Sequence, residues 1–284
     1  MNLKHSDNET KELQKRICMI LSDFHDFCVE NNLQYYAIGG TLLGAIRHHG
    51  FIPWDDDADV GMPREDFNRL CELLNGKKIK NQYLLESPLS PDKKYTFPYC
   101  KLYDTQTTLI ENTRIKLVRG VYIDIFPLDG LGNTKEECKK NYKKINSKLN
   151  LLQMRKIKIS PTRSFVKNAV LWGVQKIPDK IVSEKRLSTE INQLCESKSI
   201  YDYKFGGNLV GAWGFREIME ADIFGTPQLY DFEGLKIYGP EKAEVLLSNI
   251  YGDWKQLPPK EKQVSHHDRY LNLNVPYEEF NDSI

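Results

Sequence analysis

Gly39-Gly40-Thr41-Leu42-Leu43-Gly44-Ala45-Ile46-Arg47-His48-His49-Gly50-Phe51-Ile52-Pro53-Trp54-Asp55-Asp56-Asp57-Ala58-Asp59 contains a glycine turn, a helix-forming run and an acidic stretch within one short segment. The apolar and aromatic residues 35–38 before it predict a short strand. Gly39-Gly40 release the backbone into a tight turn, and Thr41 can begin a helix carrying Leu42, Leu43, Ala45 and Ile46. Such a helix leaves amide donors exposed beside the double glycine. His48, His49 and Gly50 end it, and Pro53 holds residues 51–54 in a loop. Asp57-Ala58-Asp59-Val60 then reads as a strand, on which acids at i and i+2 share one face.

Outward from this segment the pattern stays mixed. Upstream, Leu13, Ile17, Ile20, Leu21, Phe24, Phe27 and Cys28 recur at helical spacing and predict an amphipathic helix over residues 10–31, with His25 off its apolar stripe as an ordinary structural residue. Downstream, Met62-Pro63 close the acidic strand, and Phe67, Leu70, Cys71 and Leu74 mark the next helix. Strands are expected at 83–85, 99–103 and 107–110, and a stronger one at 121–126 that ends at Pro127. Residues 134–197 read as helical, with breaks near Ser160-Pro161 and Ile177-Pro178. In the tail, Phe232, Leu235, Ile237 and Tyr238 suggest a hairpin turning near Gly234, and residues 241–251 a helix. The expected fold class is therefore mixed α/β (α+β), a mixed sheet flanked by helices. It divides into a catalytic core at 1–132, a helical insertion or subdomain at 133–198 and a mixed C-terminal segment at 199–284 that completes the site.

Composition narrows the functional classes. With 40% hydrophobic and 28% charged residues among 284, the chain can build a substantial core. Forty Lys plus Arg against thirty-nine Asp plus Glu give a formal charge of +1, so no global field exists to hold nucleic acid. Local clusters must carry any such role. Lys135, Lys139, Lys140, Lys143, Lys144 and Lys148, extended by Arg155, Lys156 and Lys158, read first as a solvated helical face and second as a contact for a polyanion or membrane surface. The 6 cysteines never form Cys-x-x-Cys, which fits scattered reduced thiols in a cytoplasm better than a zinc or redox centre. The amino terminus lacks a signal-peptide pattern, and no uncharged apolar run approaches the roughly 20 residues that span a bilayer. The expectation is a cytoplasmic protein whose membrane contact, at the inner face, is peripheral.

Chemistry concentrates in the acids. Phosphoryl transfer needs negative charge neutralised, a leaving group stabilised and an acceptor hydroxyl held in line. Carboxylates that bind Mg²⁺ or Mn²⁺ meet the first need, and glycine-exposed amides at Gly39, Gly40 and Thr41 can cradle phosphate oxygens. Asp57 and Asp59 are the best ligand pair, with Asp55 approaching from the preceding loop and Asp56 directed away as a supportive or solvent-facing residue. Asp124, an acid inside an apolar strand, is the preferred third carboxylate, as metal ligand, general base or both. Asp129 competes with it, and a pairing of Asp124 with Arg119 is the structural alternative. Arg47 is read equally as a donor-phosphate contact or a salt-bridge partner, with His48 beside it; Lys101 and Arg119 share this ambiguity, and a buried unpaired Lys101 would be costly. Trp54 and Trp254 can stack on a nucleotide or pack in the core. His266-His267-Asp268 reads as a closing loop that brings His267 to the donor rather than as an independent metal site. No Rossmann fingerprint, phosphate-loop Gly-Lys-Ser/Thr or Gly-x-Ser-x-Gly elbow is present, which disfavours dinucleotide oxidoreductases, P-loop ATPases and serine hydrolases.

The segment 39–59 resembles the signature of the LicD family, as do Asp124-Ile125-Phe126-Pro127-Leu128-Asp129 and Tyr251-Gly252-Asp253-Trp254 followed by Pro258-Pro259. The resemblance implies a nucleotidyltransferase-like fold and relation to phosphocholine transferases of bacterial surface glycans and to fukutin-type polyol-phosphate transferases. It further implies Asp57 and Asp59 as metal ligands, with Asp124 as the additional acid. The donor would be CDP-choline or another CDP-alcohol, the acceptor a hydroxyl of a glycan or lipid-linked glycan, and the leaving group CMP. Nucleotidyl transfer to a small molecule or sugar, and a non-catalytic glycan-binding role, are the alternative readings.

Overall fold

A computed structural model describes residues 7–111, 113–196, 198–265 and 269–281. The first helix, α1 (Asp7–Glu30), buries the stripe Leu13, Ile17, Ile20, Leu21, Phe24 and Cys28 that its periodicity predicted. His25 turns its Nδ1 to the Tyr35 hydroxyl at 2.8 Å, a structural contact. The chain continues through β1 (Tyr36–Ala37), α2 (Gly39–His48), β2 (Asp59–Pro63), α3 (Arg64–Leu73), β3 (Lys78–Ile79), β4 (Tyr83–Glu86) and β5 (Cys100–Asp104). After β6 (Thr108–Glu111) and β7 (Val118–Arg119) comes β8 (Tyr122–Gly132), buried along its whole length. Three helices follow, α4 (Lys135–Lys156), α5 (Phe165–Gln175) and α6 (Glu184–Glu196). The tail adds β9 (Phe205–Asn208), β10 (Ile218–Glu220), β11 (Gln228–Phe232), β12 (Leu235–Gly239), α7 (Ala243–Tyr251) and β13 (Arg269–Asn272).

The fold is mixed α/β, as expected from the sequence. The main sheet runs β1-β2-β8-β5-β4-β3, with β9 and β10 added beyond the second half of β8. β2 and β8 are parallel, whereas β5, β4 and β9 join antiparallel. Helices α1, α3, α4 and α6 pack against β8, which makes that strand the spine of the molecule. A separate sheet β13-β6-β7 and the hairpin β11–β12 lie outside it. The hairpin turns at Glu233 (φ 51°) and Gly234 (φ 80°), the two left-handed residues that match the twist of paired strands.

Two strand boundaries differ from the sequence reading. β8 does not stop at Pro127 but continues to Gly132. On one edge its pairing with β5 ends at Ile125 and its pairing with β9 starts at Leu128, so the missing N–H of Pro127 falls where that edge has no partner. The acidic strand starts at Asp59 rather than Asp57, leaving Asp57 in the loop before the first rung. The lysines of α4 that precede Lys148 are exposed, while Cys138, Tyr142, Ile145, Leu149 and Leu152 face inward. All six cysteines are free. Among the described residues, no helix is long and apolar enough to cross a membrane.

Candidate active site

Register places charged residues side by side across four strands. Asp59 of β2 is opposite Asp124 of β8, Asp124 is opposite Lys101 of β5, and Lys101 is opposite Glu86 of β4. Residues opposite one another in a sheet share a face, so these four form one row. Nothing local in the sequence links Lys101 to Asp124.

The row is anchored at Lys101. Its ammonium lies 2.8 Å from Asp124 Oδ1 and 3.1 Å from Glu111 Oε1, and 3.4 Å from the centre of the Tyr122 ring. Lys101 therefore supports Asp124 rather than standing free for a donor phosphate. Burial pushes the Asp124 carboxyl up to about 6 even though Lys101 opposes the rise. Arg119 instead binds Glu86 through Nε at 2.7 Å and Nη2 at 2.8 Å, so the alternative pairing with Asp124 is not formed. Asp129 is held by Arg64 at 2.7 and 2.6 Å in a buried two-pronged pair, and the same guanidinium reaches Asn192 of α6 at 2.8 Å. Asp129 thus ties β8 to α3 and α6.

The acidic loop folds against this row. Ligand oxygens of Asp55, Asp56 and Asp57 lie within 4.8 Å of one another, the grouping among the described residues best placed to hold a metal ion. Asp56 is buried and accepts a hydrogen bond from the Ser265 hydroxyl, so of the two expected positions, supportive or solvent-facing, the solvent-facing one is not adopted. Gln14 of α1 fixes the loop by donating to the Asp55 carbonyl at 2.8 Å. Burial, then the charge of Asp57, raises the Asp55 carboxyl well above its usual range, and the two side chains share a hydrogen bond. Burial followed by Asp57, Asp124 and Asp55 does the same to Asp59. Acids so crowded that one must retain its proton suit a divalent cation, and an all-oxygen donor set suits a hard one such as Mg²⁺ or Mn²⁺.

The helix α2 brings its amino-terminal end to these acids. It begins at Gly39, two residues before the expected start at Thr41, and Gly39 itself turns the chain into the helix with the left-handed φ of 56° that glycine tolerates. A Cβ on Gly39 would meet Asp59 Oδ2 at 3.2 Å, and one on Gly40 would meet Asp55 Oδ2 at 2.6 Å. The absence of side chains therefore lets the acids lie against the helix terminus. Thr41 Oγ1 accepts the Asp59 N–H at 2.8 Å and so locks β2 to α2.

Other sequence candidates have different positions. Arg47 Nη1 donates to the Trp254 carbonyl at 2.7 Å and its Nε to His48 Nε2 at 3.0 Å, joining the end of α2 to the tail. Trp254 is buried and donates to Ser248 at 3.2 Å, while Trp54 is half-buried against the core. His266, His267 and Asp268 lie outside the described residues. Two site residues were missed. The Tyr251 hydroxyl would lie 4.0 Å from a Cβ on Gly39, and burial together with Asp59, Asp55 and Glu217 raises its pKa. Glu217, buried and pushed up to about 7 by desolvation, also bears on Asp59. Tyr251 was visible only within the motif Tyr251-Gly252-Asp253-Trp254; Glu217 lies in an unpatterned stretch.

Fold and site define a mixed α/β domain that sets clustered carboxylates beside the amide end of a helix. Residues 32–164 match the family described as LicD/FKTN/FKRP, nucleotidyltransferase domain. The lipopolysaccharide cholinephosphotransferase LicD of Haemophilus influenzae is 29% identical over 262 residues, covering 89% of this chain and 94% of that protein. An uncharacterized protein of Rickettsia prowazekii is 46% identical over 55 residues, 19% of this chain and 21% of its own. The human ribitol 5-phosphate transferase FKRP is 50% identical over 44 residues, 16% of this chain and 9% of its own.

Proposed function

We propose that this chain is a metal-dependent phosphotransferase that moves phosphocholine from CDP-choline to a hydroxyl of a cell-surface glycan or lipid-linked glycan precursor, releasing CMP. The observation that carries the reading is that Asp55 and Asp59 lie against the glycine-opened end of α2, with Asp57 and Asp124 close enough to Asp59 to raise its carboxyl. Transferase activity toward a phosphorylated alcohol is supported by the names of the Haemophilus and human relatives.

In this reading Asp57, Asp59 and Asp124 hold Mg²⁺ or Mn²⁺, with Asp55 as a further ligand. When bound, the cation neutralises pyrophosphate charge and the charge that develops on departing CMP. The N–H groups of Gly39, Gly40 and Thr41 donate to donor phosphate oxygens, and the dipole of α2 favours the same negative charge. The acceptor hydroxyl attacks the phosphorus bearing choline, forming a new P–O bond as the bond to CMP breaks; its proton passes to Asp124 or through it to water. Lys101 keeps Asp124 in position for this transfer. Arg47, His48, Trp54 and His267 are assigned to the donor side.

The test incubates the protein with individual CDP-alcohols, Mg²⁺ and a glycan acceptor, and measures CMP release together with product mass. A product heavier by phosphocholine is expected. Because the similarity to FKRP falls on a ribitol 5-phosphate transferase, CDP-ribitol is the second donor to include. An acceptor that gains CMP itself would overturn the proposal in favour of nucleotidyl transfer.

A further inference from the structure

Helix α5 is built the wrong way round for a soluble surface. Phe165 is 86% exposed, Val166 70% and Trp172 58%, and Val170 of the same helix and Ile159 and Ile181 of the flanking segments are exposed as well. Leu171 is the one α5 side chain that is buried. What holds the helix is polar. Arg155 of α4 donates to the carbonyls of Val174 at 3.1 Å and Ile177 at 3.0 Å and pairs with Asp179. Gln175 donates to the carbonyls of Met154 and Ile157 at 2.9 and 2.8 Å, and Asn168 to that of Ser160 at 2.7 Å. The Arg155 and Gln175 ties fix the carboxy-terminal end of α5 on the end of α4, and Asn168 holds its amino-terminal half to the connecting loop, with the large apolar side chains left outward. Contiguous exposed apolar surface of this kind marks an interaction site.

The charges around it select the partner. Lys158, Arg163, Lys167, Lys176 and Lys180 flank the helix, against the single acid Asp179, which Arg155 already neutralises. We propose that α5 and its two flanking segments dock on an anionic lipid bilayer, with Phe165, Val166 and Trp172 entering the headgroup boundary and the lysines meeting lipid phosphates. At about 1.5 Å per residue, α5 is far shorter than the roughly 30 Å hydrocarbon core and lies in the interface plane. Tryptophan is favoured at that depth. A second copy of this chain is the weaker occupant, since pairing two such faces would bring both sets of lysines together. The proposal stands apart from the reaction: a cytoplasmic or membrane-linked acceptor would serve it equally.

The test uses the full chain in vesicle flotation, with phosphatidylcholine alone and with phosphatidylcholine plus phosphatidylglycerol, at low and high salt. Wild type is expected to float with the anionic vesicles at low salt and to be released by high salt. Phe165→Glu with Trp172→Glu should weaken partitioning roughly ten-fold or more. Lys167→Gln and Lys176→Gln should weaken it roughly five-fold each. The variants should keep the wild-type circular dichroism, because the altered side chains are exposed. Wild-type protein that stays out of anionic vesicles, folded variants that bind as tightly as wild type, or a concentration-dependent dimer in light scattering that Phe165→Glu dissolves would each overturn the proposal. The wild-type arm decides even if a variant fails to fold.

Discussion

Inside the main sheet, Asp59, Asp124, Lys101 and Glu86 occupy one row of a buried surface; on α5, Phe165, Val166 and Trp172 occupy the outside. Each region inverts the usual placement of polar and apolar groups, but for opposite returns. Burying charges costs stability unless partners hold them, and here the strand register and Lys101 do so. The return is an array of dipoles and carboxylates already oriented before a substrate arrives. Exposing apolar side chains on α5 asks nothing of the interior, because only Leu171 is packed there. The site should therefore respond to substitution through activity, stability or both, and the exposed side chains of α5 through neither.

The largest effect should come from the acids. Asp59→Asn removes a negative charge from the group facing Asp124 while keeping the shape of the side chain. Transfer should fall roughly a thousand-fold or more, the scale of a lost metal-bound charge stabilisation. The protein should remain folded. Added Mg²⁺ should raise the melting midpoint of wild type and leave that of Asp59→Asn nearly unmoved, a readout independent of turnover. Equal metal-induced stabilisation of both would remove Asp59 from the ligand set.

Next in size is Glu111 of β6, the second acid that meets Lys101. Burial raises the Glu111 carboxyl, but Lys101 and the Tyr122 hydroxyl outweigh it and bring it down from 4.5 to about 2. A carboxyl depressed in the folded state adds stability that is complete above its unfolded value and is lost as the pH falls toward the folded one. The difference amounts to about 3 kcal/mol. Glu111→Gln should lower the unfolding free energy by about that much at pH 7. The gap between wild type and variant should narrow as the pH drops below 4.5 and close near 2. A gap that stays constant with pH would mean that the Lys101 contact is not the source.

A smaller and cleaner effect is expected at Gly40, whose backbone needs no left-handed conformation. Its Cβ would come 2.6 Å from Asp55 Oδ2, so Gly40→Ala should displace one carboxylate and little else. Transfer should drop roughly ten- to hundred-fold, as a displaced reacting group does. Stability should change little, since alanine suits a helix better than glycine. An unchanged rate would show that Asp55 is dispensable.

These residues also mark how far the chain could be read without its structure. Gly39-Gly40, the helix behind them and the acidic run are neighbours in sequence, and turn chemistry and periodicity disclose them directly. Asp124 showed itself as an acid among apolar strand residues. Its support by Lys101, however, depends on the register of β5 against β8, which is set by packing over the whole sheet. The geometric case for Asp57 rested on a strand that in fact starts at Asp59, since pairing with β1 and β8 reaches no further back. Asp57 comes to the site through the loop instead. Glu217 and Tyr251 arrive from the tail, brought in by the addition of β9 and β10 beyond β8 and by the packing of α7 on α2. No local pattern encodes such contacts.

The smallest expected effect is on α5, and a contrast within that one helix sharpens it. Leu171 is buried, and Leu171→Ala should cost about 2 kcal/mol in unfolding free energy, near the low end for a buried leucine. Phe165 is larger but has almost all of its surface in water. Phe165→Ser should therefore shift stability by no more than about 0.5 kcal/mol. Denaturant titration of the two variants beside wild type measures both values. If the phenylalanine change cost as much as the leucine change, Phe165 would have to be covered in the folded protein in solution, and its exposure would no longer distinguish α5 from the sheet. A near-zero value leaves a large aromatic side chain in place with no part in folding, which is what a surface kept for an external partner requires.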